Sequence, residues 1–156
     1  MANSKSFLFL IPFIFLLGIG ALIISLLKFQ KTSLQLSKPR TGKITLPQVE
    51  IADNFLLQSI GLMGREKLGS DGMLFIFDKP RKVKFWMFNT KIPLDLLFFD
   101  GSGTLVEFTS LQPGGLNPFS APSYSSKKPA QCVLEVPKGF CSSHSVFVGK
   151  TKLVKN

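Results

Sequence analysis

The chain has 156 residues, room for one domain plus appendages. Its 19 basic and 9 acidic residues give a net charge of +10, which draws attention to anionic partners, nucleic acid or membrane. No nucleic-acid motif accompanies the charge, and no basic stripe interleaved with aromatics, so nucleic acid is not an expected partner. Two cysteines and one histidine are too few for a four-ligand zinc site.

Residues 1–6 form a short tail. Residues 7–27, FLFLIPFIFLLGIGALIISLL, carry no charge. At a helical rise of about 1.5 Å per residue they would extend about 31 Å, close to the hydrocarbon thickness of a bilayer. The run is longer than a signal-peptide core and has no small-x-small cleavage pattern after it. An uncleaved transmembrane signal anchor is therefore expected, with the membrane as a partner through residues 7–27. Residues 28–43 hold Lys28, Lys31, Lys38, Arg40 and Lys43 without an acid and read as a basic linker suited to an anionic lipid surface. By the positive-inside rule that cluster favours a cytoplasmic domain.

Residues 44–156 read as one globular domain. Ile44–Ile51 reads as a strand interrupted at Pro47. Asp53 is the expected N-cap of a short helix carrying Leu56, Leu57, Ile60 and Met63, which Gly61 and Gly64 end. Gly72–Asp78 is a short apolar run, Lys79-Pro80-Arg81 a turn, and Lys82–Phe88 a strand. Asp95–Asp100 and Thr104–Ser110 form a hairpin about Gly101-Ser102-Gly103. Residues 111–129 are a long Pro-, Gly- and Ser-rich loop. Gln131–Val136 is a strand, Phe140–His144 one helical turn, and Val146–Val148 and Thr151–Val154 short strands. Local hairpins rather than alternating strand and long helix predict a mainly β (α+β) domain. The expected form is a small antiparallel sandwich or barrel with one or two short helices. Runs such as MLFIF and LLFF belong at its centre, covered on both faces.

Four stretches carry a resemblance. They are Gly61-Leu62-Met63-Gly64-Arg65 with Leu68; Gly72-Met73-Leu74-Phe75 with Phe77; Phe85 through Asp95, reading FWMFNTKIPLD; and Val133-Leu134-Glu135 with Pro137, Gly139 and Val148-Gly149. Together with the hairpin at 100–104, Pro113 and Tyr124-Ser125, they resemble the family catalogued as domain of unknown function 192 over about residues 48–154. The resemblance implies a compact β-rich fold, commonly exported behind a signal peptide or single anchor, and it implies no activity. It thus favours an extracytoplasmic, membrane-anchored domain, against the basic count after the apolar run. The Cys132 and Cys141 pair leaves two readings open: a disulfide, if the domain is exported, or two unpaired cysteines with one buried on a strand.

The usual catalytic signatures are missing. His144 stands among serines with no evident acid partner, no glycine pattern makes a phosphate loop, and no cofactor is expected. The polar residues that remain are Arg65, Trp86, Asn89, Thr90, Asp95 and Tyr124. In one reading Trp86 fills core while Asn89 and Asp95 fix a turn. In the other, Trp86 and Tyr124 wall a shallow pocket that Asn89, Asp95 and Arg65 anchor. The expected function is a non-catalytic binding or accessory module for an envelope component or protein. The rival is an envelope hydrolase using Asp95 with Asp71 or Asp78.

Overall fold

A computed structural model describes residues 28–38 and 42–155. The apolar run 7–27 lies outside them, and so does the expectation that it spans a membrane. Among the described residues no helix is long and apolar enough to cross one.

Nine strands and two short helices follow in the order β1 (Lys31–Lys38), β2 (Gly42–Ala52), α1 (Phe55–Ile60), β3 (Gly72–Arg81), β4 (Lys84–Trp86), β5 (Leu94–Phe99), β6 (Leu105–Leu111), β7 (Ser123–Ser125), β8 (Ala130–Pro137), α2 (Phe140–Ser143) and β9 (Lys152–Lys155). Seven strands make one sheet in the order β6-β5-β8-β3-β2-β1-β9, and β4 and β7 make a second, two-stranded one. The fold is mainly β with two short helices, as expected. The large sheet is mixed and open, not a wholly antiparallel sandwich. Every neighbour pair in it is antiparallel except β2 with β3, where Val49 pairs with Gly72 and Ala52 with Phe75. A parallel neighbour needs a crossover, and the segment carrying α1 supplies it. The two outer strands, β6 and β9, meet at one corner. There Thr104 and Lys152 form an isolated bridge, and the Leu105 amide donates to the Thr151 carbonyl (2.9 Å).

The stretch expected as linker contributes β1. Leu34 and Leu36 alternate with polar neighbours and are buried, at 2% and 0% exposure. That short period was hidden among the lysines. Pro47 does not break β2. It falls in a register shift, where β1 moves from Thr32 to Leu34 while β2 moves from Val49 to Leu46. A bulge is where a strand tolerates proline, because the missing amide is not needed by the ladder. Lys79-Pro80-Arg81 continues β3 instead of turning, and Val146–Val148 forms no strand. Asn54, not Asp53, caps α1, accepting from the Leu57 amide at 3.0 Å.

Period-two alternation divides the core into two clusters, one on each face of the sheet. On β5, Leu97 and Phe99 enter the first cluster, and Leu94, Leu96 and Phe98 the second. The first is covered by α2 through Phe140 and Cys141. The second is covered by α1, through Leu57, and by the small sheet, through Val83, Phe85 and Tyr124. All six residues of β5 are buried, as its continuous apolar run requires. Full burial of each of its five apolar side chains contributes about 1.5–3 kcal/mol.

The two cysteines are not bridged; both are buried thiols. The pairing explains why. Cys132 pairs with Phe99 at one end of β5, whereas the Cys141 amide reaches Asp95, which pairs with Val136 at the other. Four residues of strand separate the two places by about 13 Å, beyond the reach of a disulfide. Burial, with Asp95 adding to it, pushes the Cys141 thiol up to about 12.

Candidate functional site

A cavity of about 410 Å³ opens on the second face of the sheet, between α1, β3, β4 and the segment after β4. Six of its lining residues are aromatic: Phe75, Phe77, Phe85 and Phe88, which are buried, and Phe55 and Trp86, which are exposed. Trp86 lies on the outward side of β4, since Phe85 faces the core, and it remains 39% exposed. It stacks on Phe88 with centroids 4.8 Å apart. Trp86 is therefore not core filling. Three cations, Arg81, Lys82 and Lys84, also line the opening and are exposed. The Arg81 guanidinium sits 4.7 Å from the centre of the Phe77 ring.

One acid reaches the interior of this cavity, and it was not among the residues singled out from the sequence. On β8 the alternation sends Leu134 and Val136 to the first face and Val133 and Glu135 to the second. Glu135 is 5% exposed, and among the described residues no hydrogen bond reaches its carboxyl. Burial pushes its pKa up to about 8, against a smaller opposing pull from Arg65. Near neutrality it is an uncharged acid, able to donate one hydrogen bond into the cavity and to accept others. The signal was present in QCVLEV: a carboxylate in a strand otherwise apolar on both faces.

Arg65 stands behind this wall. Its guanidinium grips Glu50 with two bonds, at 3.0 and 2.7 Å, donates to the Leu68 carbonyl at 3.0 Å, and lies over the Phe29 ring at 5.1 Å. Fork-to-fork geometry of this kind holds a pair rigidly. Arg65 therefore ties Glu50 of β2, and Phe29 before β1, to the loop after α1.

The six residues singled out from the sequence fall into separate places. Trp86 and Thr90 line the cavity, and Arg65 is behind it. Asn89 works through its backbone. At a φ of 50° its carbonyl accepts from the Gly64 amide (2.7 Å), and its amide donates to the Gly115 carbonyl (3.0 Å). Asn tolerates this left-handed conformation better than most residues. Tyr124 rests on Phe98 and donates its hydroxyl to Glu107; that bond, with burial and the carboxylate charge, pushes the phenol up to about 12. Tyr124 is not a cavity wall. Asp95 faces the opposite side of the sheet. It is 2% exposed and accepts from Ser110 Oγ (2.6 Å), the Cys141 amide (3.0 Å) and the Gly139 amide (3.1 Å). It ties α2 to β5 and lies on the face of the sheet away from the cavity.

The long loop is bonded through its backbone to the segment that follows β4. The Gly114 amide donates to the Thr90 carbonyl (2.9 Å), and the Met87 amide donates to the Pro122 carbonyl (2.8 Å). A side-chain carbon on Gly114 would lie 1.9 Å from the Met87 carbonyl oxygen, so only glycine lets the two backbones approach. The hydroxyl groups on the lining are engaged locally: Ser59 donates to the Phe55 carbonyl at 2.7 Å, and Thr90 to the Phe88 carbonyl at 3.4 Å.

Comparison with known proteins places this architecture. A family model for uncharacterised conserved proteins, DUF192 (Uncharacterized ACR), matches residues 37–153. The chain belongs to the DUF192 family. Among curated relatives it is similar to a UPF0127 protein of Pyrococcus abyssi, 34% identical over 107 residues, which cover 65% of this chain and 81% of the relative. Two solved structures resemble the fold closely. One is a Sinorhizobium meliloti protein, provisionally described as a transcription regulator. It has a TM-score of 0.71 and 30% identity, with 82% of this chain and 95% of that one covered. The other is a protein of unknown function from Novosphingobium aromaticivorans, with a TM-score of 0.69 and 26% identity, covering 81% and 86%. The DUF192 match extends back to Ser37, inside β1, in keeping with that strand being part of the domain. None of these relatives carries a described chemistry that transfers to the cavity.

Proposed function

We propose that this DUF192 chain is a membrane-anchored, extracytoplasmic binding module, and that its ligand site is the cavity beneath Trp86. The observation that carries the reading is Glu135, a 5% exposed residue of the sheet interior that lines a cavity of about 410 Å³. A carboxyl that meets a partly aromatic cavity is suited to a ligand atom. The volume lies at the lower end of what small-molecule sites occupy, roughly 300–1,000 Å³. Placement outside the cytoplasm is supported by the uncharged run 7–27 and by the resemblance to exported proteins.

The experiment has two arms. A phosphatase reporter fused after Asn156 should be active in cells; activity only from a reporter that needs the cytoplasm would overturn the placement. In the second arm, Trp86→Ala should abolish the phenotype of the intact gene while the unfolding midpoint moves little, because Trp86 is partly exposed and its loss opens no core cavity. A Trp86→Ala variant that complements fully would exclude the cavity as the working site.

A further inference from the structure

Resting on the reading of the cavity as a ligand site, we infer that its ligand class is an anionic amphiphile: a compact apolar body, buried among the aromatic walls, carrying one acidic group held at the opening by Arg81, Lys82 and Lys84. The charges decide this. Three exposed cations line the opening, and among the described residues the one acid on the lining is Glu135, which is buried at the inner end. Cations grouped at the mouth of a low-dielectric cleft focus their field into it and raise the local concentration of anions. Arg81 is also steadied against Phe77, so that one cation is fixed where the wall meets solvent.

The obvious objection is that a buried carboxyl beside aromatic rings suits an amine. The groups facing Glu135 answer it. Among the described residues Arg65 is the titratable group that acts on it, and Arg65 is already paired by its two bonds to Glu50. The other neighbours of Glu135 across the sheet are Met73 on β3 and Leu96 on β5, which carry no charge. Burial then keeps Glu135 protonated at neutral pH. The lining therefore presents three positive charges and an inner hydrogen-bond donor, suited to an uncharged oxygen at the buried end of the ligand.

The acidic group could belong to a free carboxylate or to a membrane lipid, and the test separates the two. The chain contains one tryptophan, Trp86, so its fluorescence reports on the cavity alone. Full-length protein in phosphatidylcholine vesicles is titrated with phenylbutyrate and with phenylbutylamine, which share one apolar body and differ in charge. A further arm replaces part of the lipid with phosphatidylglycerol and adds no soluble ligand. The acid should bind about ten-fold or more tightly than the amine, a preference that salt weakens. Lys82→Glu with Lys84→Glu should reverse the order, and both positions are exposed, so the fold should be unaffected. A Trp86 response in the phosphatidylglycerol arm alone would assign the headgroup to lipid and still support the anionic class. Tighter binding of the amine, or a preference indifferent to the double reversal, would overturn the anionic class and leave the cavity as a ligand site. No binding of any of the probes would overturn both.

Discussion

Glu135→Gln should make the protein more stable at pH 8 and leave its stability at pH 4 unchanged. The reasoning is one of proton linkage. In the unfolded chain the Glu135 carboxyl ionises near its ordinary value of 4.5; in the fold, burial holds it protonated up to about 8. Between those values the folded state binds the extra proton, so stability is fully present below 4.5 and declines as pH rises toward 8. Above 8 both states are ionised and the loss is complete. The amide keeps the shape and never ionises, so it should escape that decline. The difference at pH 8 should be on the order of a few kcal/mol. Urea unfolding followed by Trp86 fluorescence at the two pH values measures it. Equal effects at both would mean that Glu135 is already ionised in the fold, held by Arg65.

Asp95→Asn should act in the opposite sense and at every pH where the carboxylate is charged. Asp95 accepts from two backbone amides and one hydroxyl while buried at 2%. An amide can keep its oxygen on the Gly139 and Cys141 amides and turn its NH₂ to the Ser110 hydroxyl, which then accepts, so the change removes the charge of the acceptor. The expected loss is about 1–3 kcal/mol, since bonds to a charged acceptor are stronger than neutral ones. Leu97→Ala, in the same strand and fully buried, is the natural comparison at about 2–5 kcal/mol. Complementation by Asp95→Asn should fall only as far as the Leu97→Ala series predicts for the same lost stability. A phenotype abolished at unchanged stability would mean that Asp95 has a role beyond joining α2 to β5.

The fold class and most elements could be read from the chain because they depend on local period and punctuation. The hairpin at Gly101–Gly103, the fully covered β5 and the early end of α1 all follow from such signals. The features missed depend on partners distant in sequence. β1 looked like linker because its apolar residues, Leu34 and Leu36, gain meaning only when β2 and β9 lie on either side. The parallel pairing of β2 with β3 leaves no mark in either strand. At the site, Trp86 and Thr90 were visible as members of an unusual stretch, and both line the cavity. Asn89, Asp95 and Tyr124 come from the same or equally suggestive stretches, yet they serve backbone geometry, α2 and Glu107. Parity separates them: Asp95 lies on the face opposite the cavity. Glu135 was overlooked because one acid in an apolar strand gains significance only once both faces are known to be covered.

The position of β1 also governs how the sheet can be assembled. Leu36 pairs with Ile44 on one side and with Leu153 on the other, and β9 in turn reaches Gly103 and Leu105 beside β6. A strand near one end of the domain thus waits for a strand near the other. The ladder between them closes nearly the whole domain into one loop, whose entropic cost must be met before the pairing gives anything back. Such long-range closure places folding among slow, topology-limited reactions of milliseconds to seconds. Until β9 arrives, one side of β1 presents unpaired amides and carbonyls, the surface on which another extended chain would add itself. The last four-residue strand therefore acts as a latch, and the interval before it closes is when this protein is most exposed to mispairing with its neighbours.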